Sequence, residues 1–143
     1  LPEGKIFPLL AKENFIGFVT VAIRKNAIIS VGGINESLMQ AEDYDLLLKI
    51  AYQFDAAVCR SVIAKYRVHN NNLSIKQVDL NYIEPVEILS SFLPDPAAEI
   101  GIKCHYNAMA LKFWKSGNFV KGILIFVKYG SLFRILQKVL KWF

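Results

Sequence analysis

Apolar and polar positions follow two different patterns along this chain, and the change falls near residue 77. The first part favours an α/β arrangement. Pro2 to Asn14 reads as a loop or short helix anchored by Phe7, Leu9 and Leu10. Phe15, Ile16, Phe18, Val19, Val21 and Ile23 form an apolar, partly β-branched run. That run predicts a largely buried strand over Phe18 to Arg24, with Gly17 as a bend. Lys25 to Val31 predicts a short helix, capped by Asn26 and ended by Gly32 or Gly33 in the left-handed region that glycine tolerates. After a loop from Asn35 to Ala41, Leu46, Leu47, Ile50, Ala51 and Phe54 recur at helical spacing. They predict a helix from Tyr44 to Phe54 with one face on a core. Ala56 to Arg60 predicts a short strand. Val62 to Val68 predicts another, alternating Val62, Ala64, Tyr66 and Val68 against Ile63, Lys65 and Arg67. The polar cluster from His69 to Asn72 terminates it. Strand, helix, helix, strand, strand is one half of an α/β domain. These strands are too few for a self-contained sheet with helices on both faces, so this reading expects sequence ahead of Leu1.

From about Val78 the pattern is helical. Leu80 to Leu93 predicts a helix, with Pro85 as a start or kink inside it. Pro94-Asp95-Pro96 breaks the chain. Asp95 can cap a new helix with Pro96 at its first position, and that helix runs from about Ala97 to Lys115. Ser116-Gly117-Asn118 predicts a tight turn, Phe119 to Lys128 a further helix and Leu132 to Phe143 a last one. The pair around Gly117 is an αα-hairpin, faintly like one tetratricopeptide-type unit with no second copy. On the last helix Leu132, Leu136, Val139, Leu140 and Phe143 share one side, and Arg134, Lys138 and Lys141 the other. Such a helix either packs with a solvated basic face or lies on an anionic bilayer. The expected organisation is therefore an α/β segment over 1–77 and a helical extension over 78–143.

Composition adds bounds. The chain has 143 residues, 54% of them hydrophobic, enough for one compact domain with a sizeable core. The formal charge is +5, with much of the excess in the last third. That balance is compatible with an anionic membrane surface, a phosphate-bearing ligand or nucleic acid. Basic residues are interleaved with bulky aliphatics and no nucleic-acid motif is present, so nucleic acid ranks last. Cys59 and Cys104 form no CxxC pair and no metal-ligand spacing; two free thiols in a reducing compartment are expected, with a disulfide left open. The start Leu1-Pro2-Glu3-Gly4-Lys5 resembles neither an initiator region nor a signal peptide. No uncharged apolar run of about 18 residues predicts a membrane-spanning helix.

Candidate chemistry centres on Glu42 and Asp43, where a glycine pair and a polar loop lead into the Tyr44 helix. Carboxylates at a helix start accept bonds from free N–H groups and suit the positive end of the dipole. Asp43 and Asp45 can therefore be caps and nothing more. Alternatively, Glu42-Asp43 is the floor of an active site with one carboxylate acting as a base. Further candidates are Arg67 and His69 at the expected strand end, and Ser74 beyond it. Arg67 can grip phosphate oxygens in forked geometry or pair with an acid. Tyr44 can stack on a sugar ring or be a buried aromatic.

Taken in order, Gly32-Gly33-Ile34-Asn35-Glu36, Glu42-Asp43-Tyr44-Asp45-Leu46, Tyr66-Arg67-Val68-His69 and Ser74 resemble the second half of the family 2 glycosyltransferases of the GT-A fold. The resemblance covers roughly Phe7 to Ser74. It implies an α/β, partial GT-A half-domain on the acceptor side of an inverting enzyme, followed by the helical extension. Such an enzyme moves a sugar from a nucleotide-sugar donor to a glycan or lipid-linked acceptor, as in polysaccharide biosynthesis. By this likeness Asp43 is the base, Glu42 orients the acceptor or braces the loop, and Arg67 and His69 bind the donor diphosphate. His69 is also the candidate metal ligand, for the Mg²⁺ or Mn²⁺ that neutralises the departing diphosphate. The implied location is cytoplasmic, at the inner face of the cell membrane. Asn35 and Ile34 depart mildly from the pattern. More seriously, no D-x-D precedes the glycine pair, so the donor half is missing and the chain alone is not a complete transferase. The competing reading, from a different class, is a non-catalytic helical interaction or membrane-docking module dominated by the C-terminal helices.

Overall fold

A computed structural model describes residues 1–65, 67 and 80–129, with Leu80 and Asn81 described in their backbone alone. Among the described residues six helices carry the fold: α1 (Phe7–Leu10), α2 (Lys25–Ser30), α3 (Glu42–Gln53), α4 (Leu80–Ser90), α5 (Pro96–Lys115) and α6 (Phe119–Tyr129). A 3-10 turn spans Phe18–Thr20.

Local chemistry sets several boundaries. Asp95 begins α5 by accepting from the N–H of Ala97 at 2.7 Å and of Ala98 at 3.4 Å, with Pro96 in the first turn. Lys112 and Lys115 in the last turn of α5 suit the negative end of its dipole. Gly117, at φ 82°, turns the chain into α6, and the Asn118 N–H donates to the Phe113 carbonyl at 2.9 Å. Gly32 and Gly33 end α2 at φ 83° and 74°, with the Gly33 N–H on the Ile28 carbonyl at 3.0 Å. The expected Asn26 cap does not form: Arg24 occupies the cap position of α2, with no side-chain bond.

Helices α1, α3, α4 and α5 share one apolar core. Leu10, Leu48 and Leu89 are its most completely buried large side chains, with Phe7, Ala11, Tyr44, Ile88 and Ala98 around them. Phe7, Tyr52 and Phe92 form a ring cluster, Phe7 lying 4.8 Å from Tyr52 and 5.1 Å from Phe92 between centroids. The core thus draws on residues from both sides of position 77. Helix α5 reaches α1 closely because Gly101 has no side chain; a Cβ there would collide with the Ala11 carbonyl. Helix α6 packs back on α5 at Gly122, where a Cβ would lie 2.8 Å from the Ala110 carbonyl oxygen.

The α/β, GT-A-like half-domain is contradicted. Among the described residues there is no sheet, and a lone antiparallel bridge joins Gly4 to Ala56. Phe18 to Thr20, expected in a buried strand, winds into the 3-10 turn with Phe18 and Val19 exposed. Residues 62–65, expected to alternate in a strand, lie outside any ladder, and Val62 is 93% exposed. Apolar, β-branched runs form strands only where a neighbouring backbone takes up their N–H and C=O groups. Among the described residues no neighbour pairs with these runs beyond the Gly4–Ala56 bridge; Val21 and Ile23 pack partly against the helical core, while Phe18, Val19, Val62 and Ile63 stay exposed. The family 2 glycosyltransferase resemblance falls with the sheet. So does the polysaccharide-synthesising, membrane-associated transferase it implied. No described helix is long and apolar enough to cross a membrane.

Candidate functional site

Two regions hold chemistry worth building up: the acidic start of α3 and the outward face of the α5–α6 hairpin.

At the start of α3, Ala41 occupies the cap position and has no side chain to cap with. The carboxylate of Glu84, on α4, instead holds the loop that enters the helix. One of its oxygens takes the Met39 N–H at 2.8 Å, the other those of Gln40 at 2.9 Å and Ala41 at 2.8 Å. Glu84 is buried, so these charge-assisted bonds replace its hydration. Glu42 and Asp43 follow in the first turn, both partly buried. Asp43 accepts the Tyr44 N–H at 2.6 Å. Burial raises its carboxyl above the ordinary carboxylate range; that N–H opposes the shift, and the charge of Glu42 adds to it. Asp45 is buried and takes Lys49 Nζ at 2.6 Å, a favourable acid-before-base pair one turn apart. Asp43 and Asp45 therefore both sit in the first turn, as acids favoured by the dipole.

Tyr44 is a buried aromatic. Its hydroxyl donates to the Leu10 carbonyl at 2.8 Å and lies 3.3 Å from His105 Nε2 on α5. Burial raises the phenol, and the charge of Cys104 adds to the shift. Burial also lowers the His105 imidazole, against the pull of the Ala11 carbonyl and of Glu13. This contact links α1, α3 and α5. Cys59 is exposed and Cys104 partly buried, both as free thiols.

The structure places Glu42 and Asp43 side by side in the first turn of α3. Arg67 is exposed; His69 and Ser74 lie outside the described residues. Among the described residues no group of three His, Cys, Asp or Glu is arranged to hold a metal ion. A shallow depression of about 430 Å³ between the end of α3 and the α4–α5 corner is lined by Tyr52, Phe92, Pro94 and Asp95, and Asp95 is already engaged as a cap. Sequence reasoning missed Glu84 and His105. No local signal marks either, because their partners lie 43 to 45 and 61 residues away.

The hairpin presents the other region. Around α6, Gly122 faces α5, and the opposite side carries Val120, Ile123, Leu124 and Val127. Their exposures are 71%, 48%, 62% and 37%. Leu111 and Trp114 on α5 and Phe119 at the head of α6 are also exposed, and Trp114 meets Phe119 edge to face. Lys121 and Lys128, both exposed, fall along one border of the stripe. No Asp or Glu follows Glu99 anywhere in the sequence. No protein-family model matches this sequence, and neither a curated protein nor a solved structure matches it.

Proposed function

We propose that this chain is a non-catalytic helical interaction module whose docking element is the α5–α6 hairpin. The observation that carries the reading is the apolar stripe Val120, Ile123, Leu124 and Val127, turned away from α5 on a helix whose fully buried residue is Gly122. Apolar surface left in water costs about 25 cal/mol per Å² relative to its burial. A contiguous patch of this kind, bordered by charge, marks an interaction surface.

The test is the double variant Val120→Ser/Leu124→Ser in the full chain. Because these side chains contribute little to the fold, its melting temperature should stay within about 2 °C of the parent, as for surface substitutions of about 0.5 kcal/mol. Binding of an apolar fluorescent dye should fall severalfold. A melting temperature lower by about 10 °C or more would mean that the stripe is packed within the folded chain, and the docking reading would be wrong.

A further inference from the structure

We infer that the partner of this face is the surface of an anionic phospholipid bilayer, on which α6 lies flat. The inference rests on the docking reading above and adds the chemistry of the occupant. Three observations point to lipid. First, charge is segregated along the sequence: all twelve acids lie at or before Glu99, while residues 100–143 carry eight Lys or Arg and no acid. The described hairpin residues 100–129 carry five of these Lys and no acid, so a surface that attracts them is negative. Second, the docking stripe is built from Val, Ile and Leu with no hydrogen-bonding side chain among Val120, Ile123, Leu124 and Val127. It offers nothing for a protein groove to read by polar complementarity, but it suits the fluid boundary of acyl chains. Third, the borders of the stripe carry the residues that bilayer interfaces favour. Lys121 and Lys128 lie along one side, with Nζ 4.4 Å from the Phe113 ring centroid and 4.9 Å from that of Tyr129. Trp114 and Phe119 stand at one end. Long lysine stems can lie along apolar surface while the ammonium groups reach lipid phosphates, and amphipathic rings settle at headgroup depth. No described helix is long and apolar enough to cross a membrane, so the engagement is parallel to the surface.

The experiment is co-sedimentation of the full chain with phosphatidylcholine vesicles, with and without phosphatidylserine, at low and high salt. The chain should sediment with the phosphatidylserine vesicles, and salt should weaken that binding by screening. Val120→Ser/Leu124→Ser and, separately, Lys121→Glu/Lys128→Glu should each reduce binding by about tenfold or more. Equal binding to neutral and anionic vesicles would overturn the assignment of charge. A stable Val120→Ser/Leu124→Ser variant alongside a parent that ignores both vesicles would overturn the lipid inference while the docking reading stands. If that parent also self-associated in sedimentation analysis and the variant did not, the occupant would be a second copy of the chain. A variant that loses its fold would instead defeat the docking reading itself, by showing that the chain covers its own stripe.

Discussion

Glu84 shows how much one side chain can carry. Its carboxylate accepts three consecutive backbone N–H groups, from Met39, Gln40 and Ala41, and so holds the loop that enters α3 from a different helix. A glutamine there keeps the size but loses the charge and replaces one acceptor oxygen with a donor. Glu84→Gln should therefore lower unfolding stability by about 2–3 kcal/mol, read from urea denaturation. His105 gives the molecule a pH response. Burial holds its imidazole below the ordinary 6.5, so the unfolded chain takes up the proton first as pH falls. Its contribution to stability is present above pH 6.5 and is lost as pH drops through the lower folded value. Melting temperature should fall on acidification from pH 7 towards 5, and His105→Gln should flatten that part of the profile. An unchanged slope in the variant would assign the response to other groups. Neither residue stands out in the sequence, because burial and remote partners define both.

At the scale of elements, the helices were largely legible. Asp95-Pro96 marked the start of α5, Gly117 the hairpin turn and Gly32-Gly33 the end of α2, because caps and left-handed turns are decided by neighbours in sequence. Removing the Asp95 cap, as Asp95→Ala, should cost about 1 kcal/mol. The contacts between helices were not legible. Gly101 lies mid-helix, where glycine is locally unfavourable, and its reason is the Ala11 carbonyl of α1 pressed against it. Gly101→Ala should improve helix propensity yet destabilise the protein by about 1–3 kcal/mol, since backbone or the Leu89 side chain must move to make room. Denaturation midpoints of the two proteins check this directly; a variant more stable than its parent would mean that α5 does not approach α1 so closely.

For the whole molecule, the difference between α/β and all-helical turns on pairing. The runs at Phe18 to Arg24, Ala56 to Arg60 and Val62 onward have strand-like composition, but a strand exists only with a partner, and composition names none. The core is built instead where α1 and α3 meet α4 and α5, joining residues from both sides of position 77. The Glu42-Asp43 pair was legible as acid at a helix start. Its role was not, because catalysis requires convergence in space, which neighbours in sequence do not encode. The charge asymmetry is also a property of the whole: with all acids at or before Glu99, residues 100–129 of the hairpin carry five Lys and no acid. Association through the hairpin should weaken as ionic strength rises, because exposed charges are screened beyond about 8–10 Å at physiological salt.

The sequence by itself determined the helical period of α3, the extents of α5 and α6, the Asp95 cap and the glycine turns, and the segregation of charge along the chain. These depend on interactions within a few residues or on simple counting. The tertiary structure alone decided which apolar runs remained unpaired and which carboxylate held the loop into α3. It also decided which glycines marked close approach and which face of α6 was left in water. Those outcomes depend on what other parts of the chain bring within a few ångströms, and no local pattern of residues encodes that.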